Sequence, residues 1–298
     1  MNLRQLRALV EIHETGSLQD ASMRMHVTQS ALSKSIKEFE TELGVTLLVR
    51  SNKGVSLTEG GVRLLTHARQ VMESVRRARQ DIDDFKGAAV SEISIGVTPV
   101  TALLPFMDEI LIRYQAEHPQ TRLKVQEMRP ATLLQRLRDG QLDFALSSQL
   151  PVSTVGFEWH ALDRLPSTLL VRKDHPLRNV RSLRLLQHAY WISVDQVSDN
   201  QSQLNQLFDG NNLPRPQRLQ ECTAFSLALL QLAKSDALMV TCKIPDREAG
   251  WILPGIDLRE LQIDEPIPEY PINLVCQNRS YLTRSAGSLF DQLLAHRR

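Results

Sequence analysis

The hydrophobic positions change period once, decisively, along this chain. Up to about residue 86 the apolar residues recur three and four apart, which is the helical period. Leu3, Leu6 and Val10, with Leu9 beside them, predict a first helix over residues 3–14. Gly16 breaks it and Ser17 offers an N-cap. Leu18, Ala21 and Met25 predict a short second helix. His26 and Val27 form the turn, with Val27 filling the angle between helices. Thr28 caps a third helix whose Leu32, Ile36, Phe39 and Leu43 face inward, and Gly44 ends it. Its outer face is left with Gln29, Ser30, Ser33, Lys34 and Lys37. Such side chains hydrogen-bond base edges and phosphates. Two short helices at a tight turn, the second polar outside, are the pattern of a DNA-reading helix-turn-helix. An amphipathic helix with a merely solvated polar face is the plain alternative.

Residues 45–58, VTLLVRSNKGVSLT, place two apolar runs around the polar turn 51–54. They predict a small hairpin, which after a helix-turn-helix is a wing. Arg50 at its base and Lys53 at its tip suit backbone phosphate or the minor groove, and a solvated turn is the alternative for Lys53. Thr58 then caps a long helix over 59–86. Leu64, Ala68, Val71, Val75, Ala78, Ile82 and Phe85 step by four and three, a heptad seam about 40 Å long at ~1.5 Å per residue. The seam predicts a dimer through this helix. The alternative packs it along the chain's own C-terminal part.

After the hinge Gly87-Ala88-Ala89 the pattern becomes strands alternating with helices. Strands are expected at 91–97, 122–128 and 142–148, with helices at 99–118 and 132–140 between them. This βαβαβ run predicts a parallel sheet. A second set follows: strands 167–173, 189–194, 218–222 and 237–242, and helices near 199–210 and 223–235. Strand 270–278 and a helix at 281–296 close the chain. These read as two α/β lobes with crossings near 161–166 and 265–270. Ligands bind such folds between lobes, at strand carboxyl ends. The expected organisation is 1–58 for the winged domain, 59–87 for the linker helix and 88–298 for the two-lobed part. Lobe I covers about 91–162 and 269–298, and lobe II about 163–268.

Composition changes this picture little. The 298 residues are 42% hydrophobic and 23% charged, with a net charge of +1. No apolar run approaches the ~20 residues that span a bilayer, and no signal pattern opens the chain, so a cytoplasmic protein without a membrane partner is expected. The net charge hides a split. Up to Gln80 there are 12 basic against 8 acidic residues, so the positive excess sits on the part that meets phosphate. Cys222, Cys242 and Cys276 show no metal spacing and lie in apolar runs, as buried thiols do. The eight histidines show no pair three or four apart, so neither a metal nor another cofactor is expected.

Residues 3–61 resemble the N-terminal domain of LysR-type transcriptional regulators. The matching positions are Gly16-Ser17, Ala21, His26 through Ser33, Ile36, Phe39-Glu40, Leu43-Gly44, Leu47-Leu48, Arg50 and Leu57 through Gly61. Ser30 stands where the family has Pro, and Leu48 where it has Phe. The resemblance implies a winged helix-turn-helix, a linker-helix dimer and a two-lobed, Rossmann-like effector domain resembling periplasmic binding proteins. It implies a homodimer, assembling to a homotetramer that bends double-stranded promoter DNA, with RNA polymerase as a further partner.

Carried over by position, Thr28, Gln29, Ser30, Ser33, Lys34, Lys37, Arg50 and Lys53 are the DNA-facing set. Gln29 and Ser33 are expected on bases and the lysines on phosphate. The effector is expected in the inter-lobe cleft against Thr98, Val100 and Thr101 at a helix start, an anion site. Ser147, Ser148, Ser193, Thr223, Phe225 and Thr241 face the same cleft in this reading, which points to a small organic anion. A thiol sensor of the same fold is the runner-up. An α/β enzyme lacks any Gly-rich phosphate loop or nucleophile elbow here. A solute-binding protein has no use for the first 87 residues.

Overall fold

A computed structural model describes residues 1–51, 54–85, 91–149, 155–196, 198–243 and 257–297, without the side chains of Arg50, Ser51, Asp84 and Phe85. Its N-terminal elements are α1 (Leu3–Thr15), α2 (Leu18–Arg24), α3 (Gln29–Leu43), β1 (Leu48–Ser51), β2 (Gly54–Leu57) and α4 (Glu59–Phe85). Local chemistry sets most of these ends. Asn2 and Gln5 form a reciprocal capping box on α1, and Gly16 closes it at φ 66°. Ser17 caps α2 by accepting from the Asp20 N–H, and Thr28 caps α3 by accepting from the Ala31 N–H. Between them His26 takes the left-handed conformation, φ 54°, that the tight turn requires.

Leu6, Leu9, Ile12, Leu18, Ala21, Leu32, Ile36 and Phe39 bury together under Leu47, Leu48 and Ala68. Two expected core residues lie outside. Leu3 is 46% and Leu43 38% exposed, because each sits at a helix end that overhangs the core. The Glu40 carboxylate accepts from the Leu47 and Leu48 N–H groups at 2.7 and 3.1 Å, which ties the wing to α3. The Val55 N–H donates to the Gly16 carbonyl at 3.0 Å. Gly54 is needed beside it: φ is +122°, and a Cβ would stand 2.8 Å from that same oxygen.

Helix α4 divides its apolar seam. Leu64 and Ala68 pack into the winged-domain core, whereas Val71 and Ile82 are exposed. Its other face docks on the C-terminal part. Arg69 pairs with Asp139 at 3.3 Å, and Gln80 donates to the Glu92 carbonyl at 3.1 Å. Arg77 donates to the carbonyls of Leu142 and Tyr281, both at 3.3 Å. Its guanidinium, with that of Arg76, lies 3.7 and 3.8 Å from the buried Asp143 carboxylate, which in turn accepts from the Ser94 N–H. Seam and docking therefore share one helix, on different faces.

The C-terminal part holds two five-stranded sheets. Lobe I contains β3 (Glu92–Val97), β4 (Arg122–Glu127), β5 (Phe144–Ser147), β6 (Glu158–Leu165) and β12 (Tyr270–Cys276). They are ordered β4-β3-β5-β12-β6, with α5 (Pro105–Glu117), α6 (Pro130–Arg138) and α10 (Arg284–Leu294) packed around them. Lobe II contains β7 (Ser167–Arg172), β8 (Tyr190–Ser193), β9 (Leu219–Glu221), β10 (Ala237–Cys242) and β11 (Leu258–Leu261). They are ordered β11-β7-β10-β8-β9, with α7 (Leu183–Leu186), α8 (Gln203–Gly210) and α9 (Phe225–Lys234).

The sheets are mixed rather than parallel. β3 runs parallel to β4 and β5, but β12 is antiparallel to β5 and β6. In lobe II β7 is antiparallel to β10 and β11. The antiparallel strands β6, β7 and β12 flank the two lobe crossings. β6 and β11 were not expected as strands. Both are edge strands in which charged and apolar residues mix, so their pattern is weak. β6 also carries residues 163–165 into lobe I, and the first crossing falls at Pro166. A third difference matters for function. No helix starts at Pro99: residues Thr101–Leu103 make one 3-10 turn and α5 begins at Pro105. The expected anion-binding helix start at Thr98–Thr101 is therefore absent.

Candidate functional site: a reading helix and an inter-lobe cavity

The outer face of α3 is built as a projecting surface. Thr28, Gln29, Ser30, Lys34 and Lys37 are exposed and Ser33 is half-buried. The Thr28 hydroxyl serves the cap and lies 3.1 Å from the Ser30 hydroxyl. Lys34 approaches Glu38 at 3.9 Å across one exposed helix turn, a pairing weak enough to yield to phosphate. The wing hairpin pairs Arg50 with Val55 and Ser51 with Gly54. Lys53 and the Arg50 side chain lie outside the described residues.

Between the lobes lies a cavity of about 250 Å³. It gathers four of the nine effector candidates: Thr98, Val100, Ser148 and Thr223. Thr98 donates from its hydroxyl to the Ser148 hydroxyl at 2.9 Å, so the ends of β3 and β5 meet at the wall. The other five are set back. Thr101 is fully buried, with its hydroxyl donating to the Leu146 carbonyl at 2.9 Å and accepting from the Thr98 N–H. It fastens the strand end rather than facing the cavity. Ser147 accepts from the Gln149 N–H, and Ser193 accepts from the Asp195 N–H. Phe225 belongs to the lobe II core with Leu170, Ile192 and Met239. Thr241 is buried within β10.

The remaining wall comes from residues the sequence did not single out. Lobe I adds Glu127, Arg129, Pro130 and Thr132, from the end of β4 and the start of α6. α6 starts at Pro130, so the Ala131 and Thr132 N–H groups of its first turn have no partner within the helix, at the end where Arg129 and Thr132 line the cavity. Lobe II adds Asp195, Gln201 and Gln203, and β12 returns Tyr270. Burial pushes the Asp195 carboxyl above the usual carboxylate range, and the Gln203 N–H it accepts at 3.2 Å only partly offsets this. Burial, with Asp195 near, also holds the Tyr270 phenol protonated. The side-chain oxygens of Gln201 and Gln203 are buried without a hydrogen-bond partner. The only sequence signal for Asp195 was its place just past a strand end, shared with many residues.

Cys222, Cys242 and Cys276 are all buried, and burial pushes the thiols of Cys242 and Cys276 up to about 12. Without a ligand that takes up the sulfur, burial favours the thiol over the thiolate at both positions. Among the described residues no helix is long and apolar enough to cross a membrane.

Comparison with known proteins covers both halves. The pattern of "Bacterial regulatory helix-turn-helix protein, lysR family" matches residues 3–62, and that of "LysR substrate binding domain" matches residues 86–298. The nitrogen assimilation regulatory protein nac of Klebsiella aerogenes is 34% identical over 52% of this chain and 51% of its own length. The chain thus spans about half the length of that relative. The transcriptional regulator PcaQ of Agrobacterium fabrum is 27% identical over 98% of this chain and 97% of its own. The crystal structure of CbnR, a LysR family transcriptional regulator, superposes over 100% of both chains with TM-score 0.70 at 19% identity.

Proposed function

The chain belongs to the LysR family of bacterial regulatory proteins, and from that premise we propose that it binds promoter DNA through α3 and the wing under control of a small molecule. Gln29, Ser30, Ser33, Lys34 and Lys37 form the reading face, with Thr28 at its start and Arg50 and Lys53 on the wing. CbnR has also been solved complexed with its target DNA, and that structure superposes with TM-score 0.67. The exposed Val71 and Ile82 on α4 support a dimer through the linker helix, since a lone chain leaves that stripe in water. A dimer sets two reading helices on two half-sites, and pairing of dimers makes the tetramer. RNA polymerase is the expected further partner, the cytoplasm the setting, and regulation rather than catalysis the activity.

The single observation that carries the effector reading is the cavity walled by both lobes. Its lining favours a small organic acid that also bears a hydroxyl or amino group. The acid end suits Arg129 and the first turn of α6, where N–H groups and the helix dipole favour an anion. The donor end suits Asp195 and the unpartnered oxygens of Gln201 and Gln203. The anion assignment thus moves from Thr98–Thr101 to α6. Thiol sensing is the weaker reading, because Cys242 and Cys276 are held as thiols by burial.

The test is a thermal-shift screen of the full chain against hydroxy acids, amino acids and plain carboxylates. A ligand at ~100 times its dissociation constant adds about 2.7 kcal/mol of stability. The expected hit is lost in Arg129→Gln. Hits confined to plain carboxylates, or equal in Arg129→Gln, overturn the lining assignment.

A further inference from the structure

Outside both sites, the edge of lobe I brings a carboxylate, an imidazole and a thiol to one place. In the β6–β12 ladder Cys276 lies opposite Glu158, and Leu274 lies opposite His160. Alternation along a strand puts residues two apart on the same face. Glu158, His160 and Cys276 therefore share a face, and one ligand atom of each lies within 4.8 Å of the other two. The Nε2 atom of His160 is buried and has no hydrogen-bond partner. Its ring stands edge-on to Phe290, 5.4 Å between centroids, which holds the imidazole in place. Glu158 accepts the Arg279 N–H on Oε2 at 3.1 Å, which orients the carboxylate and leaves Oε1 available. Cys276 is fully buried, while the Glu158 and His160 side chains are part-exposed and form the rim of the cluster.

We propose that Glu158, His160 and Cys276 form a binding site for a single borderline-soft divalent cation of the zinc class. The donor set is one thiolate, one imidazole and one carboxylate, which suits Zn(II) with a water in the fourth position. Tetrahedral donors at ~2.0–2.3 Å from the ion stand roughly 3.5 Å apart, so the cluster closes by about 1 Å around it. On binding, the Cys276 S–H bond breaks, its proton leaves to solvent and the sulfur pair bonds the metal. The nearby cations Arg279 and Arg77 are already paired, with Asp291 and with Glu73 and Asp143 respectively. The site would also reach the linker helix. Cys276 is followed by the turn Arg279–Tyr281, whose Tyr281 carbonyl accepts from Arg77 of α4.

The experiment titrates the chelator-treated full-length protein with Co(II), then with Zn(II). The expected result is one equivalent of Co(II) with a sulfur-to-metal charge-transfer band and tetrahedral visible bands, all displaced by Zn(II). Cys276→Ser removes the charge-transfer band. His160→Gln and Glu158→Gln, at the part-exposed rim, keep the fold and weaken Zn(II) binding at least ~10-fold by calorimetry. A band that persists in Cys276→Ser comes from Cys222 or Cys242 and overturns the assignment. So does the absence of any thiolate band, or unchanged Zn(II) affinity in both rim variants.

Discussion

The Gln149 side-chain amide donates to the Asp199 carboxylate at 2.9 Å, joining lobe I to lobe II beside the cavity that Gln149 lines. Gln149 is itself held, its carbonyl accepting from the Asn273 side chain at 3.2 Å. This charge-assisted bond is thus one of the links that latch the two lobes beside the proposed effector, together with the Gln203 amide on the Glu269 carbonyl. A ligand changes the lobe angle only as far as it binds the latched and open forms unequally. A double-mutant cycle with Gln149→Ala and Asp199→Ala should give a coupling of about 1 kcal/mol in urea unfolding. Strictly additive losses would show that the bond does not join the lobes in solution.

Asp195 makes the cavity pH-sensitive. Its folded carboxyl is raised above the unfolded value, chiefly by burial. Such a group disfavours folding where it must ionise, and the penalty vanishes below the unfolded value near ~3.9. Asp195→Asn keeps an acceptor for the Gln203 N–H and removes the charge. It should raise the melting temperature at pH 7, with the gain shrinking as pH falls toward 4. A gain that is flat with pH, or a loss at pH 7, contradicts a penalised carboxylate.

Arg77 couples the linker helix to lobe I. Its removal leaves Asp143 nearly buried with only Arg76 for charge, and frees the carbonyls of Leu142 and Tyr281. Arg77→Leu should cost about 2–3 kcal/mol, less than a wholly orphaned buried charge because Arg76 remains. Hydrogen exchange should then rise across both α4 and residues 139–143. A rise in α4 alone would mean that the docking is not cooperative.

Much of the N-terminal half was legible because its determinants are local. Ser17, Thr28, Gly16 and Gly44 act on the turn they occupy, and Leu32, Ile36 and Phe39 announce their face by spacing. Leu3 and Leu43 shared that spacing, yet no neighbouring element reaches them. The linker seam showed its period but not that Leu64 and Ala68 serve the winged domain.

In the lobes the strands were readable and their direction was not. Nothing in YPINLVC tells that β12 returns antiparallel from the other lobe. The cavity was half-legible for the same reason. Thr98, Ser148 and Thr223 lie at ends of readable elements and carry hydroxyls that drew notice. Arg129 and Gln203 also sit at element ends but in polar stretches with no distinguishing pattern, and Tyr270 arrives through the second crossing. Glu158, His160 and Cys276 were invisible to spacing, because the register of two antiparallel strands, not sequence separation, brings them together.

The lysines of α3 should act on affinity rather than on sequence choice. Lys34→Ala and Lys37→Ala are each expected to weaken binding to any duplex. Each should lower the slope of log affinity against log salt by about 1. Fluorescence anisotropy from low to physiological salt measures this. An unchanged slope in both variants would place the lysines off the phosphate backbone.

The reading face is tested most directly by selection of the full-length protein on a pool of random-sequence duplexes. The expected result is enrichment of a site with two related half-sites. Gln29→Ala should bind but lose discrimination at one position of each half-site, where a good base contact contributes about 1–3 kcal/mol. No enrichment, or the same enriched site with undiminished selectivity in Gln29→Ala, would contradict α3 as the element that reads DNA.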